Sequence, residues 1–446
     1  MKGTFSIYSL GCRVNQTEAD SFREMLRHAG LEEVAFGDAA NVILVHTCTV
    51  TNTADAKSRQ AIHKARKDNP TSILVVSGCY VQMGDQNIAQ EEPVDILIGT
   101  KNRHQLISLI EKKWYGADDV GQIDIVEDIS RESLFEDLPL VHTSRTRAFL
   151  KIQEGCQQFC TYCIIPFARG PVRSRKPNEI GIEIERLLAE GFQEIVLTGI
   201  HLGAYGQDLA ETDLSILLQS LKVSGLKRIR LGSLDPIDFS PALKEVLYAG
   251  KPLMNHFHIA LQSGDDNILS RMNRGYSARD VALLLEDLRR NIPYVSITTD
   301  VMVGFPGETN EQHQNSLSFV ESLNFSDIHI FKYSPRKNTK AAGFPNQVAE
   351  DVKDQRMQDM LFLKHKLKER FARSQIGTTA EVLVEKITDE NDCSWAYGYT
   401  ENYLRTRFLV NNANDLTDQY TRGQVVRVQL VDYSQGLVQA VIGEEE

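Results

Sequence analysis

Cys156, Cys160 and Cys163, within EGCQQFCTYCIIPFARG, have the spacing richest in chemistry anywhere in the chain. Thiolates ligate the irons of Fe–S clusters, so a CxxxCxxC loop supplies three ligands to a 4Fe-4S cluster and leaves the fourth iron open. An open iron is a place for a small molecule to chelate, whereas a structural metal site is normally closed by four ligands. Two other readings exist: a zinc loop completed by His201 or His258, and thiols buried as small hydrophobes. The spacing, with Tyr162 just before the last cysteine, favours the cluster.

A second trio is dispersed. Cys12 follows the apolar run FSIYSLG, Cys48 follows VILVHT and Cys79 follows ILVVSG, with a helical pattern soon after each. If the runs are parallel strands, all three cysteines lie at one sheet edge, where ligands of open α/β folds sit. A second 4Fe-4S cluster with an open iron is expected there, suited to a sulfur-bearing group; buried thiols or a redox pair are the alternatives. Seven cysteines without a secretory signal argue against a disulfide framework. Cys393 stands apart from both trios in the sequence and is not expected to be a ligand.

Three kinds of architecture must position these residues. Over the first ~130 residues, strand runs at 5–11, 42–47, 73–78 and 96–99 alternate with helical patterns at 15–29, 53–69 and 101–113, predicting a parallel α/β domain over 1–115. An acidic, aperiodic stretch, 116–139, reads as a linker. From 140 to 374, strands at 149–153, 194–198, 227–231, 256–261, 296–303 and 327–333 alternate with helices. Six βα units are too few for a closed eight-stranded barrel and suit a partial one with its site at the C-terminal strand edge. A charged helix over 352–374 leads to five short strands in 375–446, the pattern of a small barrel of the oligonucleotide-binding kind.

The 446 residues carry a net charge of −11, which argues against a globally basic nucleic-acid binder and leaves local clusters as the means of any RNA contact. Candidates are Lys57, Arg59, Lys64, Arg66 and Lys67; Arg169, Arg173, Arg175 and Lys176 beside the cysteine loop; and Lys364, Lys366, Lys368, Arg370 and Arg373. Any of these can be a solvated helix face. Residues 376–446 hold five Lys/Arg against twelve Asp/Glu, three of them the terminal Glu444, Glu445 and Glu446. Tyr397, Tyr399 and Tyr403 with Arg405 and Arg407 offer stacking and pairing to nucleotides there, or barrel core. No stretch approaches the ~20 apolar residues of a membrane span, and the N-terminus lacks a signal pattern. A cytoplasmic monomer is expected.

The Cys156 loop resembles that of the radical S-adenosylmethionine superfamily. LTGIHLG (197–203), LQSGDD (261–266) and DVMVGFPGET (300–309) occur at the matching strand ends. The resemblance implies that Tyr162, Thr198, Gly199, Gln262, Ser263, Asp300 and Gly304 bind S-adenosylmethionine, the glycines by letting backbone approach the ligand. With GCRVNQTEAD (11–20), HTCTVTNTAD (46–55) and SGCYVQ (77–82), nearly the whole chain resembles the methylthiotransferase family, whose members have an N-terminal methylthiotransferase domain, a radical S-adenosylmethionine domain and a C-terminal TRAM domain. SLGCRVNQ, HTCTVTNTADAKSR and FCTYCIIPFARG are most similar to the enzymes that add a methylthio group to C2 of threonylcarbamoyladenosine beside the tRNA anticodon; Gln157 departs from the expected Asn. This implies two 4Fe-4S clusters, with sulfur methylated at the Cys12/Cys48/Cys79 cluster and a radical formed at the Cys156/Cys160/Cys163 cluster. It also implies tRNA as substrate and a flavodoxin or ferredoxin as electron donor. The rival readings are methylthiolation of isopentenyladenosine or of a ribosomal-protein aspartate and, in another class, a two-cluster RNA-binding electron carrier.

Overall fold

The computed structural model describes the chain except residues 85–93, 117–120, 140–145, 222–225, 391–392, 413–419 and 444–446, with side chains 411–412 also left aside. The expected domain boundary at 140 and the terminal glutamates lie outside the described residues. The first sheet contains β1 (Gly3–Ser9), β2 (Leu31–Glu33), β3 (Val42–Thr47), β4 (Ile73–Gly78), β5 (Ile96–Ile98) and β6 (Ile123–Asp124), in the order β2-β1-β3-β4-β5-β6. All its pairings are parallel. VILVHT is buried at all six positions, as expected of a parallel strand covered on both faces. The helices are α1 (Arg13–His28), α2 (Asn52–Asp68), α3 (Cys79–Met83) and α4 (Leu106–Tyr115).

Two features depart from expectation. β2 is an edge strand of three residues, too short to announce itself by alternation. The stretch read as a linker contributes β6 to the sheet and then crosses the domain face, where Glu136 accepts from Arg103 Nε at 2.7 Å and from the His104 backbone N–H at 3.0 Å.

The central domain is a partial (βα)6 barrel. Its strands are β7 (Arg147–Lys151), β10 (Glu194–Thr198), β11 (Arg228–Leu231) continuing into β12 (Ser233–Leu234), β13 (His256–Gln262), β14 (Ser296–Val303) and β15 (Asp327–Lys332). They pair in parallel in the order β7-β10-β11/β12-β13-β14-β15. The inner apolar positions of these strands and the strand-facing stripes of the intervening helices form the largest core, including Leu150, Ile195, Leu197, Ile229, Ile259 and Ile297. Each such residue contributes about 1.5–3 kcal/mol on burial. A short antiparallel pair, β8 (Gln153–Glu154) with β9 (Arg173–Ser174), closes the excursion that carries the cysteine loop.

The charged helix, Glu350–Ser374, packs on β15 and leads into the C-terminal domain. Its strands β16 (Thr379–Glu390), β17 (Cys393–Tyr399), β18 (Arg405–Asn412), β19 (Val425–Ser434) and β20 (Leu437–Ile442) close as a barrel in the order β16-β17-β18-β20-β19. The β17–β18 turn plugs the N-terminal mouth of the partial barrel. Tyr403, at φ 66°, stacks on His256 at 4.7 Å, lies under Arg230 at 4.7 Å and accepts from Arg147 at 3.0 Å. Tyr399 stacks on Tyr403 at 4.7 Å and faces Arg147. The stacking role expected of Tyr399 and Tyr403 toward RNA is therefore corrected: their faces are spent on the domain interface. Among the described residues no helix is long and apolar enough to cross a membrane.

Candidate functional site

The Cys156 loop is held by a narrow neck. Gly155, at φ 78°, lets the chain turn where a β-carbon would lie 1.8 Å from the Pro171 carbonyl oxygen, and Cys156 N–H donates to Gly170 O at 3.0 Å. Beyond the neck, Thr161 N–H donates to Met272 O at 3.0 Å, and Cys163 N–H to Cys160 O at 3.0 Å. Helix α5 (Ile165–Arg169) then returns the chain to β9. Cys160 is buried, while Cys156 and Cys163 are half-buried. Arg274 Nη1 donates to Cys160 Sγ at 3.2 Å, its Nε donates to the Tyr276 hydroxyl at 2.8 Å, and its other arm pairs with Asp235.

The second trio forms as the strand order requires. Cys12 is the N-cap of α1 after β1, Cys48 follows β3, and Cys79 opens α3 after β4, so three neighbouring strands deliver their cysteines to one edge. A β-carbon built on Gly11 would lie 3.0 Å from Cys48 Sγ. Asn15 ties two of the strand ends together, donating from Nδ2 to Leu10 O at 3.0 Å and Thr47 O at 2.9 Å. Arg169 Nε, from the end of α5, donates to Cys79 Sγ at 3.1 Å.

One thiol in each trio is made a weak acid by its surroundings. Burial pushes Cys79 up to about 12, against the lowering influence of Arg169. Burial likewise pushes Cys163 up to about 12, with Cys160 adding to the rise. Thiols this weakly acidic keep their protons unless a metal displaces them. The adjoining Arg169 and Arg274 guanidiniums then offset thiolate charge. Among the described residues, no three His, Cys, Asp or Glu side chains gather closely enough for one metal ion. His201, a candidate fourth zinc ligand, has Nδ1 4.0 Å from Cys156 Sγ and Nε2 2.9 Å from Asp238. His258 has Nε2 3.2 Å from Asp300.

The residues expected to bind S-adenosylmethionine lie along the C-terminal strand edge, but several have protein partners. Tyr162 packs, half-buried, against Ile268, Met272 and Phe305. Thr198 Oγ1 donates to Leu150 O at 3.3 Å, and Ser263 shares a 3.1 Å hydrogen bond with Ser316. Gln262 sits at φ 71° beside a register shift between β13 and β14, and Asp300 faces His258. The glycines also make room inside the protein. A β-carbon on Gly304 would lie 2.3 Å from Lys353 Cγ, and one on Gly199 2.7 Å from Gln153 Oε1, so protein side chains already occupy that space.

Arg169, Arg173 and Arg175 also need correction as RNA contacts, because all three are buried. Arg169 binds Glu18 and Glu154 at 2.6 and 2.7 Å, Arg173 lies 3.8 Å from Glu154, and Arg175 binds Asp137 at 2.8 Å. Arg405 is exposed, while Arg407 is half-buried over Trp395 at 4.6 Å. On the helix before the barrel, Lys364 pairs with Asp327 and Lys366 with Glu321.

Sequence reasoning missed the charge network between the two domains. Glu18 is fully buried against Arg103, Arg169 and Lys151, and Glu154 against the same three cations. Burial alone would raise Glu18, but Arg103, Arg169, Lys151 and the hydrogen bond from His46 hold it well below the ordinary glutamate range. The spacing Cys12, Asn15, Glu18 along one helix face was the available signal. Arg274 and Asp235 gave none.

Family models match at two places: "Uncharacterized protein family UPF0004" over residues 4–99 and the "Radical SAM superfamily" over 150–320. The threonylcarbamoyladenosine tRNA methylthiotransferase MtaB of Bacillus subtilis is 37% identical over 99% of this chain and 98% of its own. The tRNA-2-methylthio-N(6)-dimethylallyladenosine synthase of Pelotomaculum thermopropionicum is 37% identical over 88% of this chain and 89% of its own. An MtaB of Aquifex aeolicus is 35% identical over 89% and 94%. Among solved structures, the radical S-adenosylmethionine methyltransferase TsrM of Kitasatospora setae, with cobalamin and a [4Fe-4S] cluster bound, superposes with a TM-score of 0.54. It shares 14% identity over 74% of this chain and 75% of that chain, a likeness of fold.

Proposed function

The chain belongs to the methylthiotransferase family of radical S-adenosylmethionine enzymes, and we propose that it adds a methylthio group to C2 of N6-threonylcarbamoyladenosine in tRNA. The observation carrying this substrate is the end-to-end match to the Bacillus subtilis MtaB, 99% of one chain and 98% of the other. At similar identity, the dimethylallyladenosine synthases of Pelotomaculum thermopropionicum and Moorella thermoacetica match over 88% and 96% of this chain. The motifs SLGCRVNQ and HTCTVTNTADAKSR support the same choice.

In this reading Cys156, Cys160 and Cys163 hold the radical-generating cluster, and Cys12, Cys48 and Cys79 hold a second that carries sulfur. When bound, a reduced cluster with an open iron supplies the electron that splits S-adenosylmethionine into methionine and a carbon radical. The protein's own part is placement. The Gly155 neck and the Thr161 hydrogen bonds fix the loop, while Arg274 fixes one of its sulfurs and offsets its charge. The strand register fixes the other trio, with Asn15 joining two strand ends. Tyr162, Thr198, Gly199, Gln262, Ser263, Asp300 and Gly304 line or support the cofactor edge. We assign residues 1–115, 140–374 and 375–446 to the three domains, with 116–139 the linker between the first two. Arg405 and Arg407 are the candidate tRNA contacts. A flavodoxin or ferredoxin is the electron donor in this account.

The test is nucleoside mass spectrometry of tRNA from a strain lacking the protein. Loss of 2-methylthio-threonylcarbamoyladenosine, restored by the gene, is expected. Its persistence in a strain with no second such enzyme, or loss of the isopentenyl product instead, contradicts the assignment.

A further inference from the structure

Arg169 ends the helix that follows one cysteine trio, yet its side chain serves the other. It is fully buried, and each of its nitrogens has a defined acceptor. Nε donates to Cys79 Sγ at 3.1 Å. Nη1 donates to Glu18 at 2.6 Å and Glu154 at 2.7 Å, and Nη2 to Asn15 Oδ1 at 2.7 Å and Glu18 at 3.0 Å. A planar fork suits this demand for several fixed donors, which a lysine ammonium on a flexible stem meets less well. Asn15 is itself anchored on the ends of two strands. The guanidinium is thereby fixed relative to all three strand ends that carry the cysteines.

The surroundings are densely charged. Four buried cations, Arg103, Lys151, Arg169 and Arg173, face two fully buried carboxylates, Glu18 and Glu154. Glu136, which pairs with Arg103, adds a third carboxylate at the rim. Glu132 acts on Arg173, so the cations are matched in number, and the charge beside the Cys79 sulfur is the Arg169 guanidinium itself. Hydrogen bonds to cluster sulfurs and nearby charge are among the main determinants of Fe–S potentials, and both act here to favour the more reduced, more negative state.

We propose that Arg169 is a positioning residue that raises the reduction potential of the cluster held by Cys12, Cys48 and Cys79, through its Nε–H···Sγ hydrogen bond to Cys79. This rests on the reading that those three cysteines hold a cluster. Because Arg169 also ends α5, the chain between Cys163 and Arg169 links the two cysteine sites physically.

The test is a potentiometric titration, followed by electron paramagnetic resonance, of the anaerobically reconstituted full chain carrying Cys156→Ala, Cys160→Ala and Cys163→Ala, so that only the N-terminal cluster contributes. Into this background go Arg169→Lys, which keeps the charge and loses the fork, and Arg169→Gln, which loses both. The midpoint should move to more negative potential in both, further in Arg169→Gln, where reduction becomes at least tenfold less favourable, a shift of about 59 mV for one electron. With Cys12, Cys48 and Cys79 replaced by Ala instead, the remaining cluster should keep its midpoint in Arg169→Lys. An unchanged midpoint at full iron content overturns the proposal, and so does an equal shift in both backgrounds, which would report general loosening. Should Arg169→Gln fail to fold with Glu18 and Glu154 deprived of a partner, Arg169→Lys decides by the same criteria. Absence of iron from the first triple variant with Arg169 intact would refute the two-cluster reading itself.

Discussion

The two cysteine trios reach similar chemistry by opposite routes. Cys156, Cys160 and Cys163 lie within eight residues on a loop closed by a two-residue β pair and local backbone hydrogen bonds. Cys12, Cys48 and Cys79 meet only because β1, β3 and β4 pair in parallel and in register. Each trio has one buried guanidinium donating to one sulfur, Arg274 to Cys160 and Arg169 to Cys79. The difference lies in what holds that guanidinium. Arg274 leans on Asp235 and Tyr276 within its own domain, whereas Arg169 reaches across to Glu18 and Asn15 of the N-terminal domain. The loop is a local device; the second trio depends on the domain interface.

The largest expected effect removes the loop's chemistry. Cys156→Ala should abolish release of 5′-deoxyadenosine and all methylthio product in an anaerobic assay with reduced protein. Residual cleavage near the wild-type rate would place radical generation elsewhere.

Breaking the interface should harm the second trio selectively. Glu18→Ala leaves Arg103, Arg169 and Lys151 short of a buried carboxylate, a loss of about 3–5 kcal/mol. Urea unfolding should show it in the N-terminal part of the chain, with iron retained at the loop. Equal iron loss from both sites would erase the distinction.

The same network gives a pH dependence. Burial would raise the Glu18 carboxyl, yet its cationic neighbours hold it well below the ordinary glutamate range. A folded-state pKa below the unfolded one stabilises fully above the unfolded value and loses its effect as pH falls through the folded one. Stability should therefore decline on acidification below about pH 4.5, more steeply in wild type than in Glu18→Gln. Parallel curves from the two proteins would show that Glu18 contributes nothing to acid sensitivity.

A smaller effect tests the interface with the C-terminal barrel. Tyr403→Phe removes the hydroxyl that accepts from Arg147 and should cost about 1–3 kcal/mol by thermal unfolding, leaving both clusters intact.

The sequence showed the loop directly because spacing alone defines it, and it showed the second trio because fully apolar runs such as VILVHT read as buried parallel strands whose ends must meet. What it concealed depends on contacts between distant segments. Arg169, Arg173 and Arg175 read as a basic cluster, because nothing in their spacing reveals that Glu18 and Glu154 enclose Arg169, that Arg173 faces Glu154 or that Asp137 pairs with Arg175. Tyr403 read as a nucleotide platform because a turn tyrosine carries no sign that it will plug another domain's mouth. β6 escaped notice as two residues in an acidic stretch.

The central claim is a division of labour, and the most direct test measures two products of one variant. Cys48→Ala, given reductant, S-adenosylmethionine and unmodified tRNA, should still release 5′-deoxyadenosine while forming no 2-methylthio nucleoside. Formation of the methylthio product at the wild-type level, or loss of 5′-deoxyadenosine with the Cys156 loop cluster intact, would contradict it.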